Sequence, residues 1–201
     1  MKENKTASLA PLEYRKIASI INKNSSVLDL GCGSGELLHY LIKTKSVNGQ
    51  GIEIDEEAVY SCVEKGLTVF HSDIEGGLDA YPSDSFDYVI MYNSIQQVKN
   101  VYFLIEESFR VGRKIIIGFP NFAYISARIS LLFGHSPVTK TLPYKWHDTP
   151  NLRFLSINDF QKFCAEKKYG ILDSFFFAPT KTVSFLPNLT AQTAVFAISK
   201  K

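Results

Sequence analysis

The sequence predicts an α/β fold, a mostly parallel sheet covered by helices on both faces. Three observations predict it. Short apolar runs that read as strands alternate with helical stretches from Val27 to Pro120. The first run, Val27-Leu28-Asp29-Leu30, enters a glycine cluster that opens a helix. An acidic residue, Glu53, stands at the end of the second run, 24 residues after Asp29. A chain of 201 residues is the length of one domain.

The elements follow in order. An amphipathic helix comes after a short polar lead, with Leu12, Ile17, Ile20 and Ile21 near helical spacing and Pro11 tolerated at a first turn. Val27 to Leu30 is the first strand. Leu37, Leu38, Leu41 and Ile42 place the next helix. Gly49 to Asp55 reads as the second strand and its end. The stretch from Glu56 to Lys65 reads as a helix stopped by Gly66 at C′. Thr68 to His71 is a third strand. Phe86 to Met91 is a fourth, followed by a helix through about Arg110. Lys114 to Phe119 is a fifth, ended by Pro120.

The alternation then breaks. Phe122 to Phe133 can form an amphipathic helix. Gly134 to Pro150 holds three prolines, the single tryptophan and no periodicity. A loop of this length in a compact domain is functional or disordered as a rule, and its aromatic content argues for order. Ser156-Ile157-Asn158-Asp159 resembles a capping box with Asp in place of Glu or Gln, opening a helix to about Lys168. Leu172 to Ala178 and Thr193 to Ser199 are expected as an antiparallel hairpin, with Phe175-Phe176-Phe177 in a buried strand. The expected organisation is a single domain over 1–201, with an insertion of helix and ordered loop at 122–155.

Composition excludes several classes. Hydrophobic residues at 45% and charged residues at 21% fit a packed globular protein. Twenty-two Lys+Arg against 20 Asp+Glu give a net charge of +2, without the basic excess of a nucleic-acid binder. No apolar run approaches the roughly 18 residues of a membrane span. Cys32, Cys62 and Cys164 have no paired spacing, so reduced thiols in a cytoplasmic protein are expected. His39, His71, His135 and His147 are scattered without HExxH or CxxC, which supports no metal site.

The informative segment is Asp29-Leu30-Gly31-Cys32-Gly33-Ser34-Gly35-Glu36. Strand, glycine turn and helix form a site where backbone N–H groups meet a ligand. A dinucleotide motif GxGxxG fails at Glu36, and the phosphate loop GxxxxGK[ST] is absent. The pattern present is DxGxGxG. A carboxylate two residues before the first glycine would repel a diphosphate and suits a ligand with an ammonium group. S-adenosylmethionine is such a ligand, and Glu53 can accept hydrogen bonds from its ribose hydroxyls. Glycines that merely make a tight strand-to-helix turn are the bland alternative. An NAD-dependent oxidoreductase is disfavoured by Asp29 and Glu36.

This segment resembles the first motif of class I S-adenosylmethionine-dependent methyltransferases. The resemblance implies a Rossmann-like, seven-stranded sheet whose last strand is antiparallel. It implies that Gly31, Cys32, Gly33 and Gly35 pass close to S-adenosylmethionine or S-adenosylhomocysteine. Asp29 would lie near the methionine part, and Glu53, beside Ile54, would hold the ribose. Asp73, beside Ile74, would read the adenine amino group, although a lone loop Asp is often a turn former. Asn93 would face the methyl donor. VLDLGCGSGELLHYL, GIEID, FDYVIMYNSIQQV, RVGRKIIIGFPNF and PVTKTLPYKWHDTPN together resemble the methionine biosynthesis family MetW, from about Val27 to Phe163. That family implies a methyltransferase-fold partner that supports homoserine O-acyltransferase, whether acetyl or succinyl.

Catalytic candidates are Tyr92, Asn93, Gln96, Tyr144, His147 and Asp148. Trp146-His147-Asp148 reads either as an acid–base group beside an aromatic platform or, preferably, as a loop pin with Trp146 buried. Asn121 and Phe122 line either an acceptor pocket or a protein contact. Tyr144 to Phe154 can equally anchor an interface. Lys140 and Arg153 bind an acidic substrate or partner, or are simply solvated. Two roles follow: an accessory subunit of the acyltransferase, or a methyltransferase acting on a small molecule.

Overall fold

The computed structural model describes residues 10–76 and 78–200, and the polar lead expected at the N-terminus falls outside them. Among the described residues, seven strands form one sheet: β1 (Ser26–Leu30), β2 (Asn48–Glu53), β3 (Thr68–His71), β4 (Phe86–Tyr92), β5 (Gly112–Pro120), β6 (Tyr169–Phe177) and β7 (Thr193–Lys200). Their spatial order is β3-β2-β1-β4-β5-β7-β6. The first five are parallel. β7 runs antiparallel to both β5 and β6, so the expected terminal hairpin inserts its second strand into the sheet. The helices are α1 (Leu12–Ile20), α2 (Glu36–Lys45), α3 (Glu56–Glu64), α4 (Val101–Val111), α5 (Ile125–Leu132), α6 (Ile157–Glu166) and the short α7 (Pro187–Thr190).

Side chains alternate across each strand, so a strand covered on both faces reads as a continuous apolar run. Leu28, Val89, Met91, Ile115, Ile117 and Phe196 face one side, where Leu104 and Ile105 of α4 and Phe160 of α6 meet them. Val27, Tyr88, Ile90, Ile116, Val195 and Ala197 face the other, under Ile17 of α1 and Leu38 and Leu41 of α2. The rings of Phe119, Phe160 and Phe196 lie 4.8–6.0 Å apart and lock α6 to the strands β5 and β7. Each such side chain contributes roughly 1.5–3 kcal/mol by burial.

Several boundaries differ from the expectation, and three have a clear local cause. Pro11 is the N-cap of α1 rather than its first turn, because ψ 146 holds it extended. α5 starts at Ile125, since Asn121 Oδ1 accepts from the Ala123 N–H and turns the chain first. β6 begins at Tyr169 and is the sheet edge, so Phe177 is buried while Phe175 and Phe176 are half-buried. The Ser156 cap is present: its Oγ accepts from the Asp159 N–H at 3.2 Å.

β1 lies between β2 and β4, so the chain winds away from it in both directions. Doubly wound sheets bind ligands at this switch point, beyond the carboxyl ends of the strands.

Candidate functional site

The loop after β1 is shaped by its glycines. Gly31 sits at φ +72, and a Cβ there would stand 2.7 Å from Ser94 Cβ. Its N–H donates to the Ile52 carbonyl at 2.8 Å, while Ser94 Oγ donates to the Leu30 carbonyl at 2.7 Å. The ends of β1, β2 and β4 are thereby tied together across the switch point. Gly35, at φ +77, is the N-cap of α2, and a Cβ there would run into Leu67 Cδ1 and Cys62 Sγ. Both positions require glycine for space and for conformation.

Glu53 ends β2 and is 9% exposed. Its Oε2 accepts from the Gly33 N–H at 2.7 Å, and its Oε1 from the Ile54 and Asp55 N–H groups at 2.8 and 2.9 Å. The carboxylate thus fastens the glycine loop to the end of β2. Asp29 is 2% exposed and has no side-chain hydrogen bond to a described residue. Burial, and next the charge of Glu53, push its carboxyl up to about 7. Burial and then Asp29 also push up the Tyr14 phenol, whose ring stands 5.8 Å from that of Tyr92. Cys32, Cys62 and Cys164 are free thiols, and burial pushes all three up, which argues against a nucleophilic role.

A cavity of about 280 Å³ opens over these strand ends. Gly31, Glu53, Ile54, Asp73, Ile74 and Asn93 line it. Asp29, Cys32, Gly33 and Gly35 are not on its wall. Asp73 has both properties weighed for it: it lines the cavity, and its Oδ1 accepts from the Glu75 N–H at 2.8 Å as a turn former does. Sequence reasoning missed Glu75 and Lys99 on the rim, where Glu75 Oε1 accepts from the Lys99 N–H at 2.7 Å. No spacing signals a bond between two loops that are distant in the chain.

A second cavity, of about 340 Å³, shares Asn93 and Gln97 with the first. Tyr92, Gln96 and Tyr144 line it as well, with Asn151 and Lys140. His147 and Asp148 line neither cavity. Asn93 adopts φ +60 just past β4, a conformation that Asn tolerates better than most residues.

The preferred reading of Trp146 as a buried loop pin is overturned, for its side chain is 77% exposed. His147 and Asp148 are exposed too. The loop is held by other means. Leu142 is buried and forms reciprocal main-chain hydrogen bonds with Thr139, at 2.9 and 3.2 Å. The Gln96 carbonyl accepts from both the Leu152 and Arg153 N–H groups at 2.9 Å, and Arg153 also donates to the Lys99 carbonyl. Asn121 is not a pocket residue of either cavity. It is buried and its Nδ2 donates to the Asn188 and Ala191 carbonyls at 3.1 and 2.8 Å. Arg110 is a clamp, bonded to the Tyr81 and Leu78 carbonyls at 2.8 and 2.9 Å.

The family model for methionine biosynthesis protein MetW matches residues 12–198. A bifunctional methionine biosynthesis protein MetXA/MetW from Rhodopirellula baltica is 35% identical over 204 residues. The match covers 94% of this chain and 33% of that protein, so the chain spans about a third of the relative's length. Among solved structures, a SAM-dependent methyltransferase from Archaeoglobus fulgidus superposes with a TM-score of 0.71 at 16% identity, covering 99% of this chain and 95% of the other. One from Geobacter sulfurreducens, in complex with S-adenosyl-L-homocysteine, gives 0.63 at 19% identity over 96% and 92%. The seven-stranded sheet is therefore that of the class I methyltransferases. Among the described residues, no helix is long and apolar enough to cross a membrane.

Proposed function

The chain belongs to the MetW family of methionine biosynthesis proteins, and from that premise we propose that it binds S-adenosylmethionine and acts as accessory subunit to a homoserine O-acyltransferase. The observation that carries the cofactor reading is the cavity that Gly31, Glu53, Asp73 and Asn93 line together. In this reading Glu53 exchanges its bond to the Gly33 N–H for the ribose hydroxyls, and Asp73 meets the adenine edge. Asp29 supplies the counter-charge for the methionine ammonium. A buried carboxyl with no protein partner among the described residues fits that group, because a cation beside it favours the ionised form. Cys32, Gly33, Gly35, Ile54 and Ile74 complete the assigned contacts. The cofactor itself supplies an electrophilic methyl group. Calorimetry with S-adenosylhomocysteine tests the assignment, and no detectable binding at millimolar ligand would overturn it.

The partner reading is supported by the relative that joins MetXA and MetW in one chain. We place both proteins in the cytoplasm, which the three free thiols support. The ordered loop at 133–155, treated as part of an insertion spanning 122–155, exposes Trp146 and Phe154 and is the surface we assign to recognition. Copurification with the cognate acyltransferase, and acyl-transfer rates with and without this chain, test it. A complex with a raised rate is expected; absence of both overturns the reading. If the cofactor acts as a feedback signal, adding it must shift complex affinity or rate, since coupling requires differential binding to two states.

One observation favours a second reading, small-molecule methyl transfer: the second cavity adjoins the first at Asn93 and Gln97. Transfer of labelled methyl to a cell-extract metabolite, lost in Gly33→Arg, would support it. Cofactor binding without turnover on any acceptor counts against it.

A further inference from the structure

Helix α5 carries its apolar side chains outward. A surface helix ordinarily turns its apolar stripe to the core. In α5 the buried residue is Ala127 alone. Ile125, Ile129 and Leu132 stand at i, i+4 and i+7, and Phe133 follows at the C-cap. At about 100° per residue these four share one side of the helix, roughly opposite Ala127. All four are exposed, Leu132 at 82% and Phe133 at 72%. Arg128 flanks the stripe, where its Nε donates to the Ala123 carbonyl at 2.6 Å. A contiguous exposed apolar stripe with a polar rim marks an interaction site. The i, i+4, i+7 spacing is that of a helix lying in a partner's groove.

Charge narrows the occupant. The segment 122–155 holds Arg128, Lys140, Lys145 and Arg153 against one acid, Asp148, an excess of three positive charges where the whole chain has an excess of two. None of these four cations forms an ion pair within 4.0 Å among the described residues. A second copy of this chain docking through the same face would set the cations against their own images, which like-charge repulsion opposes. A partner with carboxylates around an apolar groove matches both the stripe and the charge. We propose that α5 seats Ile125, Ile129, Leu132 and Phe133 in such an acid-rimmed groove of the acyltransferase, with Arg128 and the loop cations facing the rim. The inference rests on the partner reading and moves the anchor of that interface from the loop to the helix before it.

The test is the affinity of the full chain for the cognate homoserine O-acyltransferase, measured by interferometry at low and high salt. Ile129→Ser, and Leu132→Ser combined with Phe133→Ser, should each weaken the complex about tenfold or more. Leu132→Met should bind as the parent does, because the groove asks for an apolar side chain. The substituted side chains are exposed, so the thermal midpoints should stay with the parent's. High salt should weaken the parent complex, and Lys145→Glu should weaken it at low salt. Unchanged affinity in the Leu132→Ser and Phe133→Ser variant overturns the proposal and leaves the partner reading standing. No complex with the parent chain overturns both. Affinity insensitive to salt and to Lys145→Glu overturns the acid-rimmed groove. A parent dimer in sedimentation equilibrium that becomes a monomer in the double variant assigns the face to a second copy. Binding to phosphatidylcholine–phosphatidylserine vesicles, lost in the same variant, assigns it to a lipid surface. Either result also overturns the proposal.

Discussion

Asp29 is a carboxyl whose folded environment opposes its ionisation, through burial first and the charge of Glu53 second. Raised to about 7 from an ordinary 3.8, it binds its proton more tightly folded than unfolded. Stability therefore falls as pH rises between those two values; the destabilisation is absent below the range and complete above it. At about 1.4 kcal/mol for each unit, its ceiling is about 4 kcal/mol. Asp29→Asn should flatten the decline, so the ligand-free variant gains on the parent at pH 8 and not at pH 4. Urea midpoints at the two pH values check this, and parallel curves would remove Asp29 from the role. If the methionine ammonium sits at Asp29, binding below pH 7 releases a proton, which calorimetry in buffers of different ionisation heat detects. Gly31 gives a second expectation at this scale. Ala there combines φ +72 with a 2.7 Å approach to Ser94, and should cost about 1–3 kcal/mol while weakening S-adenosylhomocysteine binding.

Among the elements, α3 shows how one short motif divides its labour. In GIEID, Glu53 turns toward the glycine loop, while Asp55 caps α3 by accepting from the Ala58 N–H at 2.8 Å. Asp55→Ala should cost about 1 kcal/mol and leave ligand affinity unchanged, a pair of outcomes that denaturation and calorimetry separate. The segment RVGRKIIIGFPNF, which carries part of the family resemblance, holds two structural clamps. Arg110 holds the chain at Leu78 and Tyr81 onto α4, and Asn121 holds the turn after β5 against α7. Their motif character comes from buried main-chain groups that need partners, a demand as specific as any ligand's.

Over the whole molecule, the sheet order places the ends of β1, β2 and β4 side by side, so four segments distant in sequence meet at one cavity. A ligand that binds the folded chain alone stabilises it by about 2.7 kcal/mol at a hundred times its Kd. For a domain of this size that raises Tm by roughly 5–10 °C. S-adenosylhomocysteine should produce such a shift in the parent chain and little in Gly31→Ala; no shift in the parent at saturating ligand would contradict the cofactor reading.

By itself the sequence determined the alternation of strands and helices, the glycine turn, the cap at Ser156 and the acids at the ends of β2 and β3. These are local: periodicity, a carboxylate at a strand end or a glycine run is readable within a few residues. The tertiary structure decided what depends on partners brought together from afar. It set Trp146 in solvent and gave its expected anchoring role to Leu142 and the Gln96 carbonyl. It made Asn121 a clamp, and joined Gln96, Asn151 and Lys140 around one cavity. No pattern in a linear chain specifies which loop carbonyl will find which N–H, because the sheet order fixes those distances, and with them which polar groups meet.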